Sequence, residues 1–205
     1  MLARPGARLD KPRLVCAAGR FLGMAELGQV AWPPDPISTD RLVVRQSVPG
    51  DRGALIELFA SPEVGTYLGG PRQRDDLERE VPETPGQRAG FFVVERGGAM
   101  IGVVTLDRRD ATRRGHVRPE ADEVELGYLF LPGAWGCGYA TEACTAVLDW
   151  LATVLPGEPV VLCTQVANVA SMRLAAKLGF SEVEQFEEYA AEQWFGIWTP
   201  PTAPA

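Results

Sequence analysis

The chain has 205 residues, of which 46% are hydrophobic and 23% charged, and its formal net charge is −7. That length suits one domain of roughly 150–200 residues with a buried core. The acidic balance, with no long basic run, excludes a nucleic-acid binder that relies on phosphate neutralisation. No run of about 18 apolar residues is present, so no membrane span is predicted. Cys16, Cys137, Cys144 and Cys163 match no Cys-x-x-Cys metal or redox pair, so no metal is expected, and they read as reduced thiols of a cytoplasmic protein.

Residues 1–36 read as a poorly ordered extension with room for a short helix near Gly23–Val30. Arg4, Arg8, Lys11 and Arg13 precede an apolar patch, Leu14 to Ala18, but Arg20 and Glu26 interrupt it before a signal-peptide core forms. Trp32-Pro33-Pro34-Asp35-Pro36 is linker chemistry. The domain is expected over 37–199, with a disordered tail over 200–205. Leu42 to Gln46 alternates as a strand. Pro49-Gly50-Asp51 opens a helix with Leu55, Ile56, Leu58 and Phe59 on one face, and Ser61-Pro62-Glu63-Val64 starts a further turn. Residues 70–90 read as a mobile polar segment with one turn around Asp75–Glu80.

Phe91 to Arg96, the Gly97-Gly98 turn and Ala99 to Leu106 form a hairpin, because two glycines supply the positive φ that a tight turn needs. Residues 107–121 make a loop with Arg108, Arg109, Arg113, Arg114, Arg118 and the lone histidine, His116, which reads as a surface residue. Val124 to Leu131 is a strand. A helix runs from about Gly138 to Leu155 with Ala143, Val147, Leu148 and Leu151 inward, and Pro159 to Thr164 is a buried strand. Asn168 caps a helix that Gly179 ends beyond Leu178. Phe180–Tyr189 and Gln193–Trp198 close the chain as an antiparallel pair. The mixture of helices and hairpin-linked strands implies a mixed α/β sheet with helices on both faces.

The most informative segment is the junction Trp135-Gly136-Cys137-Gly138-Tyr139-Ala140-Thr141 between a strand and a helix start. Backbone N–H groups and the helix dipole converge there, which suits a phosphate or pyrophosphate. A nucleotide P-loop would need Lys-Ser/Thr after its last glycine, and a dinucleotide fingerprint would need an early parallel βαβ unit; neither fits. Cys137 inside the loop has no histidine nearby in sequence to activate it as a nucleophile.

Together with Asn168-Val-Ala-Ser171-Met-Arg-Leu-Ala-Ala175-Ala-Lys177-Leu-Gly179-Phe180, this junction resembles the paired motifs of the GNAT superfamily of N-acetyltransferases. Trp-Gly-x-Gly-Tyr-Ala-Thr-Glu and the early Thr39-Asp40-Arg41-Leu42 are similar to its ribosomal-protein N-terminal acetyltransferase (RimJ/RimL-like) branch. The resemblance covers about residues 37–198. It implies a GNAT fold with a mixed, mostly antiparallel central sheet of about six or seven strands. It implies acetyl-CoA as co-substrate and an amine acceptor, either a protein N-terminus or a small molecule, acetylated by direct transfer in a ternary complex. A monomer or a homodimer is compatible with it. A non-catalytic acyl-CoA-binding module of the same fold is the alternative.

Carried over residue by residue, the resemblance assigns the pyrophosphate to the N–H groups of Gly136, Gly138, Tyr139 and Ala140, helped by the Thr141 hydroxyl, with Cys137 in the same loop. The pantetheine arm would run beside Tyr128, Phe130 and Leu131, and the oxyanion donor would come from that strand. Trp135 either packs or lines the cofactor groove. Glu125 is the expected base, acting through water, against a plain solvent-facing charge. The phenol that many members carry on the second motif helix is replaced by Ala175, so Ser171 is the expected donor to the leaving thiolate, against a role in the Asn168 cap. Asn168 is a cap, a pantetheine ligand, or both. The five loop arginines are a solvated loop, or help hold the adenosine 3′-phosphate or an acidic substrate. Glu182, Glu184, Glu187, Glu188 and Glu192 are a solvated face or an acidic rim that draws in a cationic amine.

Overall fold

The computed structural model describes residues 27, 30–118, 120 and 122–200. Cys16, most of the expected N-terminal extension with its short helix, and the tail beyond residue 200 lie outside the described residues. Within the extension, Leu27 is fully buried in the main core, and the Trp32 ring meets Phe92 and Trp150 edge-on with centroids 5.0 and 6.1 Å away.

Eight strands form one sheet in the order β1-β2-β3-β4-β5-β6-β8-β7. They are β1 (Ile37–Ser38), β2 (Val43–Arg45), β3 (Phe91–Arg96), β4 (Ala99–Arg108), β5 (Val124–Phe130), β6 (Val160–Gln165), β7 (Ser181–Glu188) and β8 (Ala191–Trp198). The helices are α1 (Arg52–Ala60), α2 (Pro62–Gly65), α3 (Arg74–Glu80), α4 (Tyr139–Val154) and α5 (Val169–Leu178). All pairings are antiparallel except β5 with β6. The sheet therefore has the mixed, mostly antiparallel character expected, with one strand more than the upper expected number; β1 is too short to leave a periodic signal.

The alternation of side chains along each strand divides the core in two. Val104, Leu106, Val124, Leu126, Val160 and Leu162 pack against Ala143, Val147, Leu148 and Leu151 of α4 and Leu174 of α5. On the opposite face Phe91, Val93, Val103 and Leu129 pack against Leu55, Ile56, Leu58 and Phe59 of α1 and Leu77 of α3. Residues 70–90 are thus more structured than their polarity suggests, because Leu77 anchors α3 with no exposed surface and Val81 and Ala89 are buried as well. Beyond β5 the same face carries a smaller cluster of Val161, Phe186 and Phe195, roofed by Val117 of the arginine loop.

That loop differs most from its expected solvated state. Glu123 is fully buried and serves as its hub, accepting from the N–H groups of Val117 and Arg118 at 2.6 and 2.7 Å and lying 2.9 Å from His116 Nδ1. Burial raises the Glu123 carboxyl, but these donors outweigh it and hold it below the usual carboxylate range. His116 is half-buried, with Nε2 2.8 Å from the Arg113 carbonyl. Both its nitrogens face acceptors, so both bonds coexist only when each nitrogen carries a hydrogen. Arg108 and Arg118 bind Glu158, and Arg114 lies over the Phe186 ring.

The one parallel contact opens a gap in the sheet. β5 and β6 pair only where Val124 faces Val160 and Glu125 faces Val161, and the strands then diverge. On its other side β5 stays bonded to β4 as far as Gly102 opposite Phe130. Leu131 donates to the Ile101 carbonyl at 2.9 Å, which sets the alternation of the antiparallel ladder. Leu129 and Gly127 turn their backbone groups toward β4, while those of Tyr128 and the Phe130 N–H point into the gap.

Candidate active site

Three groups of residues converge on this gap. The first is the glycine loop. After β5 a 3₁₀ turn, Pro132–Ala134, leads to Gly136 (φ 73°) and Gly138 (φ 81°), and Gly138 is the N-cap of α4. Such left-handed backbone is easily adopted only by glycine. The Glu142 N–H bonds the Gly138 carbonyl at 3.1 Å, so the N–H groups of Tyr139, Ala140 and Thr141 remain the free first-turn donors. Trp135 is half exposed and its indole N–H donates to the Phe130 carbonyl at 2.8 Å, fastening the loop to the end of β5. Cys137 is exposed.

Two arginines that the sequence reading left unassigned flank this loop. The Tyr139 ring is buried beneath Arg41 and Arg96, whose guanidinium carbons lie 4.7 and 5.2 Å from its centroid. Arg41 Nη1 donates to the Cys137 carbonyl at 3.0 Å, and its Nε and Nη2 bind Glu142 at 2.7 and 2.6 Å. Glu142 also accepts from the Arg41 N–H at 3.0 Å and the Thr39 hydroxyl at 2.5 Å. Burial raises the Glu142 carboxyl, but Thr39 and Arg41 outweigh it and leave it below the usual range. In a trans peptide the C=O and N–H are antiparallel. Arg41, holding the Cys137 oxygen from behind, therefore turns the Gly138 N–H to the opposite side of the loop.

The second group is the helix start of α5. The Asn168 side chain accepts from the Ser171 N–H at 3.2 Å, so both the cap and its partner are present. Ser171 is buried, and its hydroxyl is hydrogen-bonded to that of Tyr128, which reaches across from β5. Burial pushes the Tyr128 phenol up, and the bond to Ser171 offsets only part of that shift. Ala175, one turn further, is fully buried and places no polar group here.

The third group is acidic. A cavity of about 150 Å³ runs between β5 and β6, with Tyr128, Asn168 and Ser171 at one side, and Thr105, Asp107 and Glu125 in its lining. Val64 and Leu68 close it from α2 and the turn that follows, and the Tyr67 carbonyl accepts from the Gln165 amide at 3.1 Å across the mouth. Glu125 is buried rather than solvent-facing. Arg109 Nη1 and Arg113 Nη1 lie 2.9 and 2.7 Å from its two oxygens, and Arg113 also lies 3.7 Å from Glu188. Asp107, opposite Glu125 in the β4–β5 register, is also buried and paired with Arg88. Burial raises its carboxyl above the usual range, which the Arg88 charge only partly offsets.

The structure thus brings Glu125, Tyr128, Asn168 and Ser171 to one cavity, with the glycine loop at the end of the same strand. Leu131 turns its N–H away from the gap, unlike Tyr128 and Phe130. The loop arginines are committed to Glu125, Glu158 and ring faces. Glu182, Glu184, Glu187 and Glu192 lie exposed on β7 and β8, whereas Glu188 is partly buried. Asp107 and Arg41 carry no site signal in the sequence; alternation past Leu106 puts Asp107 on the Thr105 face, but its charge reads as the start of a loop, whereas β4 continues to Arg108. Among the described residues no group of His, Cys, Asp and Glu is arranged to hold a metal ion, and no helix is long and apolar enough to cross a membrane.

A splayed parallel pair with a glycine-capped helix start at one end and buried carboxylates at the other is the architecture of an acyl-group transferase. The model of the acetyltransferase (GNAT) domain matches residues 41–181, and the chain belongs to that family. An uncharacterized N-acetyltransferase of Bacillus subtilis, YoaA, is 26% identical over 75% of this chain and 86% of its own length. A GNAT-family acetyltransferase from Bacillus anthracis superposes with a TM-score of 0.65 at 21% identity, covering 80% of this chain and 98% of the other. Spermidine N-acetyltransferase from Vibrio cholerae, solved with CoA and spermine, gives a TM-score of 0.59 at 19% identity over 78% and 96%.

Proposed function

We propose that this protein is an acetyl-CoA-dependent N-acetyltransferase of the RimJ/RimL-like branch that acts in the cytoplasm on a primary amine by direct transfer. The observation that carries the proposal is the β5–β6 gap, whose cavity is lined by a pair of hydroxyls and two buried carboxylates, with a glycine-capped helix start following the same strand β5. The name of the Bacillus relative and the CoA and spermine of the Vibrio complex support the same reading.

In this reading the N–H groups of Gly136, Gly138, Tyr139 and Ala140, with Cys137 in the same loop and the Thr141 hydroxyl, hold the pyrophosphate. Trp135 forms the wall of the groove. The backbone edge of Tyr128 and Phe130 guides the pantetheine toward Leu131, and Asn168 adds a bond. The Tyr128–Phe130 edge supplies the oxyanion donor, an effect typically worth ~3–4 kcal/mol of barrier. Ser171 donates to the leaving sulfur. Glu125 takes the amine proton through water. A second reading of the base is favoured by one observation: two arginines occupy the oxygens of Glu125, whereas burial raises the Asp107 carboxyl. Divergent environments of this kind separate a charged binding group from a proton acceptor. Glu125 would then stay anionic beside the substrate ammonium, and Asp107 would take the proton.

Calorimetry with CoA, followed by thiol release from acetyl-CoA with peptide N-termini, spermidine and aminoglycosides, tests the proposal. Turnover on at least one amine is expected. CoA binding with no turnover on any of them supports the non-catalytic acyl-CoA-binding module, and absence of CoA binding refutes both.

A further inference from the structure

We propose that Tyr128 is a positioning residue for the leaving-sulfur step: its hydroxyl and that of Ser171 form a dyad that presents one fixed O–H to the sulfur of the thioester. The inference rests on the acetyl-CoA reading above and adds a residue to it. Tyr128 shares a face of β5 with Leu126 and Phe130, which looks toward α4 and α5, and its hydroxyl crosses the gap to meet Ser171 Oγ. The opposing helix offers no phenol of its own, because its buried positions after Ser171 are Leu174, Ala175 and Leu178. The phenol that meets Ser171 comes from the strand instead.

The hydrogen count makes the pair more than a packing contact. Two hydroxyls bonded to each other use one hydrogen between them and leave the second free. Asn168 holds the Ser171 N–H at 3.2 Å, so the serine backbone is fixed, and both hydroxyl-bearing residues and Asn168 line the same cavity. Either hydroxyl can donate in this bond; with the phenol, intrinsically the stronger acid, as the donor to Ser171 Oγ, the serine hydrogen is the free one. When the amine nitrogen has bonded to the acyl carbon and given its proton to a carboxylate, the C–S bond breaks with both electrons passing to sulfur. The Ser171 O–H then donates a hydrogen bond to that sulfur while Tyr128 donates to Ser171. Neither hydroxyl loses its proton, and the thiolate is protonated by water on release.

A dyad built for a thiolate must also stabilise the thiolate of the product. The test uses the full chain with CoA itself, reading the ultraviolet absorbance of its thiolate against pH. The thiol of bound CoA is expected to ionise about one pH unit below that of free CoA, a tenfold shift. Tyr128→Phe, which keeps the ring, and Ser171→Ala should each remove most of the shift, and the double variant should remove no more than either alone. Thermal unfolding identifies any variant that fails to fold, and the other then carries the test. A wild-type thiol that titrates as in free CoA, or a full shift in folded Tyr128→Phe, overturns the dyad while CoA binding survives. Loss of CoA binding in the wild-type protein overturns the acetyl-CoA reading instead.

Discussion

Replacing Arg41 by methionine keeps the stem over Tyr139 but removes the charge that grips the Cys137 carbonyl and Glu142. The magnitude follows from the contact. A hydrogen bond to a charged donor is worth about 1.5–3 kcal/mol when well buried. Arg41 is 46% exposed, so solvent screening reduces its contribution to roughly 0.5–1 kcal/mol. Because the grip orients the peptide whose N–H is Gly138, the loss should fall on the anion site, and that energy corresponds to a roughly two- to fivefold weaker affinity for CoA. Pantetheine lacks the pyrophosphate and should bind the variant as it binds the wild type. Glu142→Gln should shift CoA affinity in the same direction by a smaller factor. The melting temperature should fall by no more than about 2–4 °C, the shift that ~1 kcal/mol gives a domain of this size. Calorimetry with both ligands decides the matter. Equal weakening of CoA and pantetheine, or unchanged CoA affinity in a folded variant, would refute the idea that Arg41 aims the loop.

The remaining predictions concern the same cavity and the stability of the frame. Gly138→Glu puts a side chain on a left-handed residue, with its Cβ 3.4 Å from the Arg41 Nη2 that helps fix the loop, and should abolish CoA binding in calorimetry by distorting the loop; retained affinity would sink the assignment of the loop. Ser171→Ala should lower kcat more than KM in steady-state assays, whereas a residue of the cap alone would leave kcat intact. Glu125→Gln and Asp107→Asn distinguish the two readings of the base: the variant that flattens the rise of kcat/KM with pH has lost the proton acceptor. For stability, Asp51 is held by both Nη atoms of Arg45 at 2.8 and 3.0 Å and by the Val48 N–H, and its carboxyl lies below the usual range although burial alone raises it. A depressed carboxyl adds stability above its unfolded value near pH 4 and loses it as pH falls through the folded value. Asp51→Asn should therefore lower the melting temperature at pH 7 and match the wild type at the acidic end of a titration.

What could be read from the chain divides along the range of the interactions. Local signals carried far: the Gly97-Gly98 turn, the Asn168 cap with its Gly179 stop, and the apolar face of Ala143, Val147, Leu148 and Leu151 all appear where periodicity and end signals put them. The glycine loop was legible for the same reason, since two glycines before a helix are a local pattern. Contacts that join distant segments left no trace. Nothing local marks Arg41 as the partner of Glu142, or Tyr128 as the partner of Ser171. The run of arginines over 107–121 looked solvated because sequence alone does not reveal Glu123 and Glu125 as the buried acids that fix it. Asp107 was hidden because a charged residue at the end of an apolar run reads as the start of a loop.

The bond between Arg41 and Cys137 spans 96 residues, and that between Thr39 and Glu142 spans 103. The ligand-ready shape of the glycine loop therefore depends on an edge of the sheet made by the earliest part of the domain. A chain that has assembled β4, β5 and α4 but not docked the Thr39–Arg41 segment would own every loop residue and still lack a correctly aimed donor. On the proposed reading, competence to bind CoA would report completion of the fold rather than the presence of its motif, so a fragment beginning after Arg41 would keep the signature and lose the aim.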